Sequence, residues 1–475
     1  MAGLISSLHN SSAALRVHSK GLEVTGKNLA NVNNRGYAKQ RVEIGDRGQI
    51  NTGIATESMG VEAMGLRQNR DALLDKSVMR ELTATADLEA AKKVLTSTET
   101  ALGQFLDRTK DSTSIQNAMG ANGGAIGDAI TDFFNSWESV SVKPQDVGEK
   151  QLLLEKAKIL AEKLNQTDDR LEKVQLDVDS QLQVDVETVN QILAEIAKTN
   201  DYIAKAELVK PYSAVDLRDQ RQAKLEELSK YLDVQFENIP PPDGLGQIIV
   251  KSSDGIELVN GKIVAGQTTN ADGSVTGPIS YNTTTKKVQH DEDGTGAIVP
   301  VDLSANGKLA AQLESSTGTV QTARDQLSSL KDALSTEVNS AYTPAAFFAI
   351  DTVTNEISVS ATSISAGTSG SNEIALDVAA LGTQSITALG STFNAYFNKT
   401  VTTVAQQLNS TNTRLEDQKL SEEMAVNSRD QYSGVSQDEE ITDMMKFQRS
   451  FQASARHINV IDTLLEQVVN RLGVG

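Results

Sequence analysis

The chain has no cysteine, which excludes a disulfide framework, a thiolate metal site and a thiol nucleophile. Aromatic residues make up 4% of its 475 residues, with one Trp, too few to suit a compact enzyme or a sugar-binding cleft. Asp and Glu are so numerous that counting alone does not exclude a hydrolytic carboxylate pair. Histidine is almost as scarce as Trp: His9, His18, His290 and His457 are the complete set, and none opens an H-E-x-x-H metal motif. His18 reads as a polar residue in a helix seam, His457 as a contact on a polar face and His290 as a loop residue. Positive charge is also in deficit. The net charge is −19 and the pI about 4.8, which argues against nucleic acid or an anionic membrane as principal partner. No apolar run is long enough to span a bilayer, and the opening residues lack a signal-peptide core. Gly244-Leu245-Gly246 has no third glycine or following helix to make a phosphate loop. Asp291, Glu292 and Asp293 lack the spacing of a calcium loop and read as a solvated turn. The expectation is a chain without catalytic residues, metal, cofactor or small-molecule substrate.

What the sequence does have is helical period, above all at its two ends. After Gly434, Ser436 and Glu439 have the spacing of a capping box, and Asp438, Glu439 and Glu440 suit the positive end of a helix dipole. Apolar residues then recur in steps of three and four: Ile441, Met444, Phe447, Phe451, Ala455, Ile458, Ile461, Leu465, Val468 and Leu472. That seam is narrow, so it predicts another helix as its partner, along a length of roughly 50 Å. At the opposite end Leu8, Leu15, Leu22 and Leu29 fall at a seven-residue interval, with Leu4 continuing the seam backwards. Ser11, His18 and Thr25 dilute it. Burying a Leu contributes about 1.5–3 kcal/mol, whereas ordering each residue costs about 1–2 kcal/mol of backbone entropy. Five leucines in this helix do not offset that cost, so both ends read as assembly elements that need neighbouring subunits; an ordinary antiparallel pair within one domain is the competing reading. Gln448, Gln452, Arg449 and Arg456 fall off the seam, where they would meet neighbours.

These same residues carry a resemblance. Asn28-Leu29-Ala30-Asn31-Val32-Asn33-Asn34-Arg35-Gly36-Tyr37, followed by Gln40-Arg41-Val42, resembles the N-terminal signature of bacterial flagellar rod, hook and hook-associated proteins. Ser433-Gly434-Val435 through Asp438-Glu439-Glu440, with Phe447-Gln448-Arg449-Ser450-Phe451-Gln452, resembles their C-terminal signature. Arg35 stands where those families usually have Pro, leaving the turn less rigid, although Gly36 tolerates positive φ. Phe133-Phe134-Asn135-Ser136-Trp137 with Pro144, and Asp216-Leu217-Arg218-Asp219-Gln220-Arg221, resemble the helical domain of the hook-associated protein 1 (FlgK) family.

Between the ends the pattern predicts a mainly α, elongated rod with inserted β. Short β-prone runs at 39–44 and 60–66 suggest a ribbon, and helical period resumes near Arg70 and runs to Leu106. The Gly/Ala-rich stretch 118–127 predicts a loop, and Phe133, Phe134 and Trp137 share a helix face that Pro144 ends. A very long helix starts near Asp146, with Leu153, Leu160, Leu164, Leu171, Val189, Ile196 and Ile203 in its seam, and Pro211 closes it. Ser213 with Asp216 suggests a second capping box. Pro240-Pro241-Pro242-Asp243-Gly244 reads as a stiff hinge into a hairpin turning at Asn260-Gly261, then exposed strands over 266–302. Helices return near Lys308 and Phe393, flanking a Ser/Thr/Gly-rich stretch.

The expected units are terminal helices 1–36 and 434–475 as an inner assembly layer, and a coiled-coil-like helical domain of 37–236, 303–342 and 392–433. A small β-rich domain, 237–302, should lie at the far tip, with 343–391 a β or irregular insertion. The resemblance implies a non-enzymatic structural protein, exported to the flagellum and acting as adaptor at the hook–filament junction. It implies as partners further copies of itself, the hook protein, the second junction protein and an export chaperone at the C-terminal region. Competing readings are another axial protein, or a secreted helical module that engages a partner through its C-terminal amphipathic helix.

Overall fold

The computed structural model describes residues 2–34, 36–51, 56–103, 125–208, 213–240, 245–266, 268–269, 275–291, 298–300, 306–367 and 371–472. Arg35, Phe105, Leu106, residues 118–124, Pro211, the 241–244 part of the proline hinge and the 292–294 turn lie outside these, so their readings stay expectations.

The chain opens with helix α1, Ala2–Ala30, and a β-ribbon whose long strands β1 (Gln40–Asp46) and β4 (Val61–Gln68) pair antiparallel. The short strands β2 (Gln49–Asn51) and β3 (Thr56–Ser58) extend its tip. Helix α2, Ala72–Ala101, starts where the Asp71 carboxylate accepts from Leu73 N at 2.8 Å. Helix α3, Ala125–Val142, takes in Ala125–Gly127, which the sequence assigned to a loop.

Helix α4, Val147–Glu207, is the spine. Its 61 residues extend about 90 Å at about 1.5 Å per residue, which makes the molecule elongated. Asp146 caps it, accepting from Gly148 N and Glu149 N. The expected seam is buried at Leu153, Leu160, Leu164, Leu171, Val189, Ile196 and Ile203. Between these residues, polar side chains at successive turns each hold a different later segment. Asn165 bonds both backbone atoms of Ile357, and Asp168 takes Arg324 and Lys331. Asp179 accepts from Tyr281 Oη, Asp185 takes Lys308 and Gln312, and Asn190 bonds Ile279. Asn200 donates to Ile248 O and Gly261 O.

That ladder corrects the expected far-tip β domain. Helix α5 (Val215–Ser229) leads into an antiparallel sheet, β5 (Val234–Asn238), β6 (Ile248–Ser252), β7 (Glu257–Asn260) and β8 (Ile263–Val264). It docks on the end of α4 beside the ribbon, and its β7–β8 turn is the expected Asn260-Gly261, with Gly261 at φ +58°. After the short pair β9 (Thr268–Thr269) and β10 (Val275–Thr276), β11 (Ile279–Asn282), β12 (Lys287–Asp291) and β13 (Ile298–Pro300) form a second sheet. Its expected exposure is wrong, because Ile279, Val288 and His290 are buried, so His290 is a strand residue rather than a loop residue. The β segments are spread along α4 because its polar residues bind their backbones in turn.

Helix α6 (Lys308–Glu314) passes through a π-helical turn, Ser315–Val320, into α7 (Gln321–Ala341). Residues 343–391 contain the hairpin β14 (Phe348–Ile350) and β15 (Ile357–Val359), and also helix α8, Glu373–Leu381. They are core rather than insertion. Phe347 and Phe348 join Phe133, Trp137 and Tyr342 in one aromatic cluster, with ring centroids 4.8–6.4 Å apart. Ile374, Ala375 and Val378 are also buried. Helix α9, Phe393–Ser433, returns along α2, and α10, Gln437–Leu472, returns along α1.

Candidate assembly site at the paired chain ends

The covered side of α10 is the expected seam: Met444, Phe447, Phe451, Ile458, Leu465 and Val468 are half-buried and Ile461 fully buried. Ile441 is instead exposed, like Met445, Val460, Leu464 and Val469 on the other faces. Asp438, Gln448, Arg449, Gln452 and Arg456 are exposed.

On α1 the leucine seam is not the deepest face. Leu4, Leu8, Leu15, Leu22 and Leu29 are all half-buried, whereas Ala13, Val17, Gly21, Val24, Thr25 and Asn28 are buried. The two sets lie roughly 135° apart around the helix. The reason is close approach: a Cβ on Gly21 would meet the Phe447 ring at 2.6 Å, so the bare glycine lets that ring seat against α1. His18 lies beside the same ring, with centroids 6.3 Å apart, and Ser11 Oγ bonds His457 Nδ1 at 2.8 Å. Two of the residues that dilute the leucine period, Ser11 and His18, thus meet α10. Burial pulls the His18 pKa below its ordinary value.

At the root of the pair the signature residues form a polar latch. Asn28, 1% exposed, donates through Nδ2 to Gln40 O (2.8 Å) and to Glu440 Oε2 (2.9 Å). Its Oδ1 accepts from Tyr37 Oη (2.8 Å) and Gln40 N (3.0 Å), so the amide joins α1, the ribbon and α10. Lys39, 5% exposed in its side chain, pairs at 2.8 Å with both Glu439 and Glu440. Burial pulls Lys39 down, but the two carboxylates outweigh it and hold its pKa above the usual value; Lys39 in turn lowers Glu439. Glu439, expected to close a capping box on Ser436, is drawn to this lysine. Lys39 N also donates to Ser433 O, and Asn69 Nδ2 to Tyr432 O, pinning the ribbon to the end of α9. Burial, with Asp219, Asp216 and Glu440 nearby, pushes the Tyr37 hydroxyl well above its ordinary range.

The remaining signature residues shape this turn. Asn31 Nδ2 bonds Lys27 O at the end of α1, and Asn33 is exposed. Gly36 O accepts from Arg70 Nη2. Gly434 breaks α9 from α10 where the Asp430 carbonyl oxygen would stand 2.3 Å from any Cβ.

The latch continues into the body through 216–221. Asp216 accepts from Gln40 Nε2 (2.8 Å), and Asp219 takes Arg70 Nη2 (2.7 Å), while Arg70 Nη1 holds Asp75. Burial pushes the Asp219 carboxyl up to about 6, against the pull of Arg70. Arg218 forks onto Glu207 at 3.1 and 2.9 Å, and Glu207 also accepts from Ala214 N. Glu207 therefore caps α5, in place of Ser213, whose hydroxyl turns to Ala206 O. Sequence reasoning missed Gly21, Lys39, Arg70 and the capping role of Glu207. The spacing of Ala13, Val17, Gly21, Val24 and Asn28 was the available signal for the first of these.

Residues 112–345 match the sequence family described as the flagellar hook-associated protein FlgK helical domain. Residues 428–472 match the flagellar basal body rod FlgEFG protein C-terminal family. The hook-associated protein 1 of Bacillus subtilis (strain 168) is 23% identical over 544 aligned positions, spanning 100% of both chains. That of Escherichia coli (strain K12) is 22% identical over 54% of this chain and 43% of the relative. Among solved structures, the flagellar hook junction protein FlgK of Burkholderia pseudomallei aligns with a TM-score of 0.45 and 20% identity, over 58% of this chain and 47% of that one. The chain thus spans about half the length of these last two. The two matched families fall on the helical spine and on α10, and over these parts the chain is similar to the FlgK family of flagellar hook-associated proteins.

Proposed function

We propose that this protein is a structural adaptor at the junction between flagellar hook and filament, exported and assembled there. The end-to-end match with a hook-associated protein 1 supports the placement. The observation that carries the mechanism is the state of the terminal helices. They pair, but leave the leucine seam half covered and five large apolar residues of α10 in water. A soluble monomer gains nothing from that surface, whereas further copies closing into a tube would bury it. In this reading 1–36 and 434–475 form the inner assembly layer. Residues 37–236, 303–342 and 392–433 form the surrounding helical body, with 343–391 packed into its core and 237–302 set along it. Contacts would run to further copies, to the hook protein on one side and the second junction protein on the other. An export chaperone would hold the C-terminal region beforehand. No catalytic step is part of this role.

Imaging cells that lack the protein tests the reading: hooks without filaments, and flagellin released to the medium, are expected. Normal filaments would overturn it. Removing the last forty or so residues separates an axial role from a free binding module, since the former loses incorporation altogether and the latter loses one partner.

A further inference from the structure

Beside the latch, a cavity of about 530 Å³ opens between the ribbon, α5 and the β5–β8 sheet. Its lining includes Arg67, Arg70, Arg218 and Arg221, with Glu43 and Asp75 as the carboxylates and Phe236 in an apolar wall. Arg218 and Arg70 are matched by Glu207, Asp75 and Asp219. Arg221 is not matched in this way. It is 6% exposed, and its Nη1 bonds go to two neutral oxygens, Asn200 Oδ1 and Gly246 O, both at 2.8 Å. Among the described residues no carboxylate lies within ion-pair distance of it. A buried guanidinium without a carboxylate partner is costly, and an anion brought beside it offsets part of that cost. Arg67 stands at the rim, exposed.

We propose that this cavity is an oxyanion site, which takes a phosphate-sized anion or a carboxylate group between Arg221 and Arg67. Guanidinium groups present a planar fork matched to such oxygens, and apolar walls concentrate the positive field. Burial and then the neighbouring Arg218 push Arg221 down to about 9, against the pull of Glu207. The same chemistry fits a free anion or an acidic side chain of a second copy, which this acidic chain has in quantity.

The test is titration of the full-length monomer with inorganic phosphate at constant ionic strength, followed by calorimetry. Saturable binding is expected. Arg67→Gln should weaken it about two- to fivefold, as for an exposed charge, without changing the unfolding midpoint. Arg221→Gln should weaken it tenfold or more, as for a buried charge-assisted bond. Repeating the titration on assembled layers separates the sources: retained binding identifies a free anion, and lost binding a carboxylate from a second copy. Absence of saturable binding in the monomer overturns the proposal. So does wild-type affinity in Arg67→Gln, which touches no structural contact and remains informative even where Arg221→Gln fails to fold.

Discussion

The latch makes a demanding prediction for Asn28→Asp, a change of one atom that keeps shape and both accepting contacts. Two donated bonds disappear, to Gln40 O and Glu440 Oε2. A carboxylate also arrives where an amide stood 2.9 Å from another carboxylate. Losing the bond to the charged partner costs about 1.5–3 kcal/mol and the neutral one about 0.5–1.5. At an effective dielectric near 20, the like-charge repulsion adds about 6 kcal/mol before Lys39 offsets part of it. Proton uptake sets a ceiling, because holding an ordinary Asp protonated at pH 7 costs about 4 kcal/mol. A penalty near 4 kcal/mol follows, close to a thousandfold in the opening equilibrium of the helix pair. The protonated form donates to Glu440 again, so the penalty should shrink by about a hundredfold between pH 7 and pH 5. Amide hydrogen exchange, corrected for intrinsic rates, reads this directly over 2–30 and 437–472. The aromatic core around α3 should keep its protection. Unchanged exchange in the terminal helices refutes the latch, and a loss that pH 5 does not relieve refutes the carboxylate pairing.

Gly21→Val should force the Phe447 ring off α1 at a cost of about 1–3 kcal/mol; Phe447→Leu should recover part of it, a coupling that a double-mutant cycle measures. Phe133→Ala, at the centre of the aromatic cluster, should cost about 3–5 kcal/mol and lower the denaturant midpoint of the whole body. Asp219 sets a pH dependence. Its folded pKa of about 6 exceeds the ordinary 3.8, so the native state holds the proton more tightly than the unfolded one. Its contribution to stability is therefore greatest below the ordinary value and is lost as pH rises through 6, by about 3 kcal/mol in all. Asp219→Asn should flatten that slope in thermal unfolding between pH 4 and 7; an unchanged slope assigns it to other groups.

What could be read from the sequence, and what could not, divides by the kind of force involved. Apolar period was legible: the seams of α4 and α10 emerged nearly residue for residue, because one-sided burial on a helix writes itself into spacing. The turn at Asn260-Gly261 was legible for the same local reason. Polar side chains that bind distant backbone were not. Nothing near Asn165, Asn190 or Asn200 says that each fixes a strand far along the chain, and so the β segments were expected at a tip. Helix α8 was hidden because Ser, Thr and Gly around it outweigh the short apolar period of Ile374, Val378 and Leu381. On α1 the leucines misdirected the reading: a small residue, Gly21, decides which face a neighbour can reach, and hydropathy assigns it no weight.

The distribution of strong and weak contacts along the terminal pair bears on how such a layer is built. Its root is fixed by a buried amide and a shared lysine, whose geometry tolerates no slip of register. Toward the tips, apart from buried Ala13, Val17 and Ile461, the described apolar residues are half covered or exposed, with single polar contacts such as Ser11–His457. Apolar seams alone specify register poorly, since a shift by one heptad costs little, whereas displacing Glu440 from Asn28 and Lys39 strands a buried charge. In the proposed layer, a neighbouring copy would meet a pair whose root is already aligned and whose tips still have apolar surface to offer. Because the latch continues through Asp216 and Asp219 into α5 and on to α4, that alignment is inherited from the 61-residue spine. Orientation of the terminal pair relative to the body is thus set within the chain itself, and in the proposed layer the apolar tips would have only to supply adhesion.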